Sequence, residues 1–225
     1  AALISAGPYL DYAKLEEFLA FNPDCKVLTV KHALPGLIKN GITPWGCIVL
    51  DPRPITGKST HNITRKDLFK DFDPDMNFFV ASMTDPSVTE HLMERDARIW
   101  GWHAFTDSLR EEDEQGKVIE NQQVKLSQEL GIPQGATLIT GGTCAAMRGI
   151  GMLHTMGFRD IHLFGFDCCR DEPTDEEKTE TTGDLEGGET PKPKYIQVNV
   201  KDQTYWTTGE LLAMAQDCEK VFNDP

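Results

Sequence analysis

Residues 136–167 place the strongest constraint on the fold of this chain. An apolar run leads into Gly141-Gly142-Thr143, a segment of helical spacing follows, and a second apolar run ends at Asp167. This order predicts a strand, a glycine turn, a helix and a second strand. Parallel strands need a crossover of this kind, and the crossover brings both strand ends to the same edge of the sheet. In open α/β sheets that edge binds small ligands, so the pattern predicts a site as well as a fold.

The same alternation of strand and helix patterns runs through the first half of the chain. Short apolar runs alternate with segments whose apolar residues recur at helical spacing. We therefore expect an α/β fold with a mostly parallel sheet flanked by helices. The predicted strands cover residues 3–5, 25–30, 47–50, 77–81 and 97–102, and the predicted helices cover 10–21, 33–39, 64–69 and 86–94.

The C-terminal part of the chain has a different pattern. An acidic loop over 170–194 precedes an alternating run over 195–200, a turn, and further strand-like residues at 204–206. Alternation at period two on both sides of a turn predicts a β-hairpin, and a helix is predicted over 211–222. We expect the hairpin and helix to close one edge of the main sheet. Residues 1–225 then form a single domain, with 107–123 as a polar surface excursion.

Composition and charge exclude several classes of protein. No apolar run approaches the roughly 20 residues of a membrane-spanning helix, so no membrane association is expected. The formal net charge of −14 argues against a nucleic-acid-binding surface. Six cysteines without a Cys-x-x-Cys pair are typical of reduced thiols in a cytoplasmic protein. The chain begins inside an apolar run without Met or a basic leader, which indicates a trimmed or longer chain rather than a signal peptide.

Glycine and polar residues collect where the predicted strands end. If the strands are parallel, these residues lie along one edge of the sheet. Each residue alone has a structural explanation, such as a turn glycine, a helix cap or a half-buried histidine, but their shared position favours a functional site. The set comprises Gly7, Lys31, His32, Asp51, Arg53, Ser82, His103, Gly141, Thr143 and Asp167.

Asp51 and Asp167 are the acidic pair of this set. Two carboxylates at one strand edge are able to hold Mg²⁺ through oxygen ligands and leave room for phosphate oxygens. The structural alternative is that Asp51 caps the following segment and that Asp167 accepts hydrogen bonds from backbone N–H groups of its own loop. The sequence leaves both interpretations open.

The basic residues and histidines match phosphate chemistry. Lys31, Arg53 and the helix-borne Arg148 are able to neutralise a phosphate, although Arg148 fits a surface position equally well. His32 and His103 are candidates for general acid or base, because an imidazole titrates near neutral pH.

Familiar nucleotide and hydrolase motifs are absent from the sequence. Gly57-Lys58-Ser59 has the tail of a P-loop, but Pro52 stands where its first glycine belongs. Gly141-Gly142 lacks the third glycine of the dinucleotide-binding fingerprint. No Gly-x-Ser-x-Gly elbow of a hydrolase occurs.

Four short motifs, taken in order, resemble one known family. They are Ser5-Ala6-Gly7-Pro8, Val49-Leu50-Asp51-Pro52, Gly141-Gly142-Thr143 and Leu163-Phe164-Gly165-Phe166-Asp167. Together with the closing segment 205–212, they resemble the 6-hydroxymethylpterin diphosphokinase MptE-like family over about residues 3–215.

The resemblance implies a Rossmann-like sheet similar to that of bacterial sialyltransferases. Members of the family include an archaeal enzyme that moves diphosphate from ATP to a pterin alcohol with Mg²⁺. Relatives include flagellin glycosyltransferase-like proteins associated with CMP-activated nonulosonic acids. This chain resembles bacterial and prophage-encoded members without an assigned activity. It departs from the family in two places: Tyr9 replaces the serine of Gly-Pro-Ser, and Lys31-His32 stands where many relatives have Asp or Asn.

The resemblance and the strand-end residues together predict a nucleotide-dependent transferase with an unidentified acceptor. As a diphosphokinase it uses ATP and Mg²⁺; as a sialyltransferase-like glycosyltransferase it uses a CMP-sugar. A third alternative is a non-catalytic, phage-derived binding or structural protein. The residues expected to bind the nucleotide are Gly7, Pro8, Lys31, Arg53, Gly141, Gly142 and Thr143, those expected to hold Mg²⁺ are Asp51 and Asp167, and the catalytic candidates are Asp167, His103 and His32.

Overall fold

The structure is a computed structural model that describes residues 1–57, 64–105, 110–112, 115, 118–121, 129, 131, 137–142, 144–170, 172–173 and 194–223. The strands are β1 (Ala2–Ile4), β2 (Val27–Val30), β3 (Gly46–Val49), β4 (Asn77–Ala81), β5 (Arg98–Ala104), β6 (Arg110–Glu112), β7 (Val118–Asn121), β8 (Leu138–Ile139), β9 (His162–Phe164), β10 (Tyr195–Val200) and β11 (Gln203–Thr208). The helices are α1 (Tyr12–Phe21), α2 (Leu34–Lys39), α3 (Arg65–Leu68), α4 (Pro86–Met93), α5 (Ala145–Thr155) and α6 (Gly209–Asn223). None of these described helices has both the length and the apolar character needed to cross a membrane.

Seven of the described strands form one sheet in the order β8-β5-β4-β3-β2-β1-β9. Every pairing within this sheet is parallel, which confirms the predicted α/β fold. From β1 to β5 and then β8, successive strands proceed across the sheet in one direction, whereas β9 lies on the other side of β1. The strand order therefore reverses at β1, where Leu3 pairs with Leu28 on one side and Leu163 on the other.

Helices cover both faces of this sheet. On one face, Val49 packs with buried residues of α2, α3 and α4, and Ile4 packs with α1. On the other face, Ile48 packs with Leu153 of α5. Because parallel strands covered on both faces bury successive side chains, their sequences are nearly continuous apolar runs rather than alternating ones.

Helix α5 lies very close to the sheet and contacts β1, β2, β3 and β8. Two glycines permit this approach. A Cβ added at Gly149 would lie 2.8 Å from Leu3 Cδ1, and a Cβ added at Gly151 would lie 2.6 Å from the carbonyl oxygen of Thr140. The close contact carries the chain from β8, at one edge of the sheet, back towards β1, so that β9 can follow on the opposite side.

The C-terminal strands β10 and β11 form a separate antiparallel hairpin beside the segment that follows β9. The N–H of Arg170 donates to the carbonyl of Trp206 at 2.7 Å, and Thr207 Oγ1 donates to the carbonyl of Cys168 at 2.9 Å. Helix α6 packs on β11. The predicted C-terminal hairpin and helix are therefore confirmed, and the hairpin joins the main sheet through the segment that follows its edge strand β9.

One local prediction is wrong, and one segment contains a strand pair that was not predicted. His103 lies inside β5 rather than after it, because β8 pairs with the end of that strand through His103–Leu138 and Ala104–Ile139. The polar stretch 107–123 contains the antiparallel pair β6–β7. Backbone pairing across a turn satisfies N–H and C=O groups without requiring an apolar period in the side chains.

We expect Gly151→Ala to destabilise the protein and Gly209→Ala to stabilise it. At position 151 the added methyl group would meet the Thr140 carbonyl, and such overpacking costs about 1–3 kcal/mol. At Gly209, the first residue of α6, an added Cβ meets nothing within 4 Å among the described residues. Replacing a glycine there raises the unfolding free energy by roughly 0.4–1 kcal/mol. Urea unfolding of both variants measures the difference, and equal effects of one sign would contradict the close approach of α5 to β8.

Candidate functional site

The loops after β1 and β9 lie side by side because the strand order reverses at β1. The N–H of Gly7 donates to the carbonyl of Gly165 at 3.0 Å, and the N–H of Tyr9 donates to Asp167 Oδ2 at 2.9 Å. The carboxylate of Asp167 therefore lies against the turn that contains Gly7, Pro8 and Tyr9. In open α/β sheets, ligands bind outside the carboxyl ends of the strands at such a reversal.

The contact with Asp167 requires a glycine at position 7. A Cβ there would lie 2.3 Å from Asp167 Oδ2 and 2.5 Å from the carbonyl oxygen of Gly165. The sequence predicts that this glycine admits a nucleotide phosphate, but in the structure Asp167 occupies the space that a side chain would fill. Nucleotide contacts of Gly7 and Pro8 stay a prediction. Asp167 does accept a backbone hydrogen bond, although from the neighbouring loop rather than from its own.

The second glycine turn is packed between two helices. Gly141 and Gly142 have φ angles of +119° and +39°, values that favour glycine. A Cβ on Gly141 would lie 2.7 Å from the carbonyl oxygen of Met147 in α5, and one on Gly142 would lie 3.1 Å from Asp217 Oδ2 in α6. Thr143, predicted to act with them, lies outside the described residues. Nucleotide binding by this turn stays a prediction.

Asp51 is buried and contacts three basic side chains, and we call the four residues the Asp51 cluster: Lys31, Asp51, Arg53 and Arg65. The Asp51 carboxylate accepts hydrogen bonds from Lys31 Nζ, from Arg53 Nε at 2.8 Å and from Arg65 Nε at 3.0 Å. The side chains of Lys31 and Arg65 are each 6% exposed, whereas that of Arg53 is 51% exposed. The parallel ends of β2 and β3 bring Lys31 and Asp51 together, and the start of α3 supplies Arg65.

The Asp51 cluster holds more positive than negative charge. Burial by itself raises the pKa of Asp51, but hydrogen bonds from Arg53 and Lys31 outweigh it and hold that pKa well below its ordinary range. Burial lowers the pKa of Lys31, and the hydrogen bond to Asp51 opposes that shift. When all four groups are charged, three basic side chains face one carboxylate, so that the described residues of the cluster carry two more positive charges than negative ones. Such an excess at the ligand-binding edge suits an anion such as phosphate.

The contacts of Asp51 bear on the predicted magnesium site. Both of its oxygens accept N–H donors from basic groups, which occupy the lone pairs and repel a divalent cation. Asp167 follows β9, which lies three strand positions from β3, or about 14 Å along the sheet. Within the part of the chain that the structure describes, no group of three or more Asp, Glu, His or Cys side chains is arranged to hold a metal ion. Magnesium stays a prediction, and Asp167 is the better placed of its two predicted ligands.

The two predicted catalytic histidines lie far apart in the sheet. His32 is half-buried in the turn after β2, which neighbours β1. His103 lies in β5, five strand positions from β9, or about 24 Å along the sheet. Its Nδ1 is buried and has no hydrogen-bond partner among the described residues. Both roles stay predictions, but only His32 lies near the reversal of strand order.

Arg148 and Arg65 show where sequence reasoning fell short. Arg148 is buried rather than at the surface, and its Nη1 donates to the carbonyls of Phe105 at 2.7 Å and Ile139 at 2.6 Å. It therefore ties α5 to the chain at the ends of β5 and β8. Arg65 was missed because it follows no strand; it reaches Asp51 only because α3 folds back over the end of β3. No motif in the sequence marks it.

A cavity of about 860 Å³ opens between the loops after β1 and β9 and the C-terminal hairpin and helix. We call it the hairpin cavity. Its lining includes Tyr9 and Asp167 from the main-sheet side, Val200 and Tyr205 from the hairpin, and Leu212 from α6. The volume lies within the range of about 300–1,000 Å³ that is usual for small-molecule pockets. Sequence reasoning did not assign this cavity, because it exists only once the hairpin is placed beside β9.

Cys168 lies in the wall of the hairpin cavity as a protonated thiol. Burial raises its pKa to about 11, and the nearby Cys144, Cys218 and Asp167 act in the same direction. A thiol that stays protonated at neutral pH is a poor nucleophile. Cys168 is therefore not a candidate nucleophile of this cavity.

Comparison with known proteins identifies the family. Residues 1–173 match the family described as 6-hydroxymethylpterin diphosphokinase MptE-like. The chain belongs to the MptE-like family. The resemblance seen in the sequence motifs is confirmed over that range, whereas the similarity of 205–212 lies beyond it and stays a prediction. Membership supports a transferase-like function.

A solved structure shares the fold. The chain is similar to the MAf glycosyltransferase from Magnetospirillum magneticum AMB-1, with a TM-score of 0.53 and 13% sequence identity. The likeness covers 100% of this chain and 30% of that protein, so the MptE-like chain spans less than a third of its length. At this identity the comparison establishes the fold. No curated protein matches the chain.

We expect Asp51→Asn to cost about 3–5 kcal/mol of unfolding free energy at neutral pH, because it leaves buried Lys31 and Arg65 without a counter-charge. The pKa of Asp51 is lower in the folded than in the unfolded protein. The contribution of the Asp51 carboxylate to stability is therefore complete above its pKa of about 4 in the unfolded protein. It is lost as the pH falls through its lower pKa in the folded protein. The difference in unfolding free energy between the variant and the original protein should stay constant from about pH 7 to about pH 5 and become smaller only below about pH 4. Urea unfolding at several pH values measures it.

The matched control is Asp75→Asn. Asp75 pairs with Arg98, but its side chain is 80% exposed. Removing an exposed pair of this kind costs less than about 1 kcal/mol. The account of the Asp51 cluster is wrong if the two variants lose equal stability. It is also wrong if the difference in unfolding free energy between Asp51→Asn and the original protein already becomes smaller between about pH 7 and about pH 5.

Proposed function

We propose that this MptE-like protein is a transferase that uses a nucleoside-phosphate donor and binds the donor's phosphates at the Asp51 cluster. The observation that carries the proposal is the excess of positive charge where β2 and β3 end, close to the reversal at β1. The half-exposed Arg53 would contact phosphate oxygens directly, while buried Lys31 and Arg65 supply charge behind it. Membership of the family supports this class of reaction.

The reaction that the family description favours is diphosphate transfer from ATP to an alcohol. The hydroxyl oxygen forms a bond to the β-phosphorus, the bond from that phosphorus to the oxygen shared with the α-phosphate breaks, and AMP leaves. The proposed acceptor of the hydroxyl proton is Asp167, at the reversal of strand order. Because β9 lies about 14 Å along the sheet from β3, the donor's phosphates would extend from the Asp51 cluster towards the reversal, so that the β-phosphorus lies near Asp167. The positive charge of the Asp51 cluster stabilises the negative charge that develops on the departing group.

Magnesium fits this proposal only with the phosphates as its main ligands. Mg²⁺ commonly keeps several waters and binds through one or two carboxylates together with substrate phosphates. Asp167 would be its protein ligand, and Mg²⁺ would supply further positive charge to the phosphates. If Asp167 holds Mg²⁺, the candidate base is His32, which lies in the turn after β2, the strand that neighbours β1.

Glycosyl transfer from a CMP-sugar is the second candidate. It is favoured by the likeness to the MAf glycosyltransferase, which covers the whole of this chain, including the hairpin and α6 that the family match leaves out. In this reaction the acceptor oxygen bonds to the anomeric carbon of the sugar, the bond from that carbon to the phosphate oxygen breaks, and CMP leaves. The same cluster of positive charge would stabilise the departing phosphate.

Thermal unfolding with CMP, CTP, AMP, ATP and GTP, each with and without Mg²⁺, tests the donor. A nucleotide at 100 times its Kd stabilises the folded protein by about 2.7 kcal/mol, which raises the melting temperature measurably. A selective, Mg²⁺-dependent shift with ATP supports diphosphate transfer, and a selective shift with CMP supports glycosyl transfer. We expect Arg53→Met to remove the shift.

Arg159→Met is the matched control for Arg53→Met. Arg159 is exposed and donates to the carbonyls of His154 and Phe158, at the other end of α5 from the glycine turn. Its replacement should leave the nucleotide-induced shift unchanged. If no nucleotide shifts the melting temperature of the original protein, the transferase proposal is wrong and the non-catalytic alternative gains support.

We expect Asp167→Asn to lower the release of AMP or CMP by about 100-fold or more, because an amide accepts no proton at neutral pH and is a weaker ligand for Mg²⁺ than a carboxylate. The amide oxygen still accepts the hydrogen bond from the N–H of Tyr9, so the turn keeps its shape. Chromatography of the released nucleotide in single-turnover reactions measures the loss. Full activity of the variant would exclude Asp167 as base.

A further inference from the structure

The hairpin cavity brings a carboxylate and two aromatic rings together from three parts of the chain. Asp167 follows β9, Tyr9 lies in the loop after β1, and Tyr205 lies in β11. The N–H of Tyr9 donates to Asp167 Oδ2 at 2.9 Å, so the backbone of one aromatic residue orients the carboxylate. Because the two oxygens of a carboxylate offer about four acceptor positions, one such donor leaves Asp167 with the capacity to pair with a ligand.

The two tyrosine rings form a corner in the same cavity. Their centroids are 6.1 Å apart and the ring planes are inclined by 89°. Rings at right angles present two faces to a group in the angle between them, and the face of an aromatic ring is the negative part of its quadrupole. A cation within about 6 Å of such a face is attracted to it. Tyr9 is 58% exposed, so its ring is accessible to a ligand.

The walls on either side of this corner suit an apolar body. Val198 and Val200 line the cavity from the hairpin, and Leu212 and Ala215 line it from α6. Val200 is 52% exposed, which gives a ligand apolar surface to cover. A carboxylate, two ring faces and aliphatic walls together match a protonated amine that is carried on an apolar skeleton.

The sequence that borders the cavity adds to the negative charge of Asp167. Residues 171–193 connect the segment after β9 to the hairpin, and they contain nine Asp and Glu residues against two Lys residues, a formal net charge of −7. The two ends of this stretch are attached to two walls of the cavity. The whole chain carries a formal net charge of −14. Charge of one sign around a cleft raises the local concentration of ligands of the opposite sign.

Arg170 is a basic residue close to the cavity, and it contacts the other face of the hairpin. Its Cζ lies 5.5 Å from the centroid of the Tyr195 ring, and its Nη1 donates to the Tyr195 hydroxyl at 3.3 Å. Tyr195 is an odd number of positions from Val198 and Val200, so its side chain projects from the opposite face of β10. The guanidinium of Arg170 therefore does not neutralise Asp167.

We infer that the hairpin cavity binds an organic cation, a protonated amine on an apolar skeleton. The ammonium group pairs with Asp167 and packs in the corner between Tyr9 and Tyr205, and the skeleton covers Val200 and Leu212. Such a ligand is opposite in charge to the phosphates that we propose for the Asp51 cluster, so the cavity is a second site with a different chemistry.

A bound amine has a consequence for the transfer reaction, and this consequence alone rests on the proposed function. Asp167 is the proposed base, and an ammonium group paired with it blocks the approach of an acceptor hydroxyl. The amine should therefore inhibit the release of AMP or CMP. It should leave the nucleotide-induced thermal shift in place, because that shift depends on Arg53 of the Asp51 cluster.

Binding is measured by ligand-observed NMR titration with three probes that share an indole ring: tryptamine, indole-3-ethanol and indole-3-acetate. At neutral pH the first is a cation, the second is neutral and the third is an anion. The titrations contain the full chain without nucleotide or Mg²⁺. We expect tryptamine to bind about tenfold or more tightly than indole-3-ethanol, and indole-3-acetate to bind most weakly, because the carboxylate and the ring faces attract positive charge.

Asp167→Asn tests the ion pair, and Asp75→Asn is its matched control. Each variant removes one negative charge, so a general attraction of cations to an acidic protein changes equally in both. Asp75 is 80% exposed and precedes β4, at the opposite edge of the sheet from the cavity. We expect Asp167→Asn to weaken tryptamine binding about tenfold and to leave indole-3-ethanol binding unchanged. Asp75→Asn should change neither.

Val200→Trp locates the probe in the cavity, because the larger side chain fills it from the hairpin. The control is Gln197→Trp, an equal enlargement at an exposed position on the opposite face of the same strand. We expect Val200→Trp to abolish tryptamine binding and Gln197→Trp to preserve it. Since both positions are exposed, neither substitution disturbs the packed core.

The outcomes separate the cation site from the proposed function. Tryptamine binding that Asp167→Asn weakens and Val200→Trp abolishes, while both controls preserve it, supports the site. The inference is overturned if tryptamine does not bind, if indole-3-ethanol binds equally well, or if each variant behaves like its control. If tryptamine binds as expected while no nucleotide shifts the melting temperature, the cation site stands and the proposed transferase function fails.

Discussion

The parallel pairing of β1 with both β2 and β9 is the constraint on which the rest of the structure depends. It reverses the strand order at the centre of the site, so the loops after β1 and β9 meet and Asp167 lies against Gly7. The return of the chain to that side requires α5 to cross the sheet at close range. Gly149 and Gly151 permit that approach, because any side chain there would collide with Leu3 or with the backbone after β8.

The carboxyl edge of the sheet is divided into two regions of opposite chemistry. The ends of β2 and β3 carry the Asp51 cluster, where buried Lys31 and Arg65 exceed the charge of their carboxylate. The ends of β1 and β9 carry Asp167 and open into the hairpin cavity, where the described lining residues include Asp167 and no basic side chain. The positive charge of the Asp51 cluster is the feature on which the proposed binding of a donor's phosphates rests.

Much of the fold could be predicted from the sequence. Strands buried on both faces are short apolar runs, and amphipathic helices are recognised because their apolar residues recur about every 3.6 positions. The prediction that Lys31 and Asp51 lie along one edge of the sheet also needed only parallel strands, whereas their direct contact was not predicted. What failed depended on contacts between distant segments. His103 is inside β5 because β8 extends that strand, Arg148 is buried because two carbonyls accept from it, and Arg65 joins Asp51 through the fold of α3.

The sequence by itself determined the class of fold, the family and the residues that end on one edge of the sheet, because these follow from local patterns of apolar, glycine and polar residues. The tertiary structure decided which of those residues share a site. It placed Asp51 among basic groups, set Asp167 against Gly7, and formed a cavity between the loops after β1 and β9 and the C-terminal hairpin. Such choices depend on strand order and on burial, and neither is recorded in the local pattern of a chain.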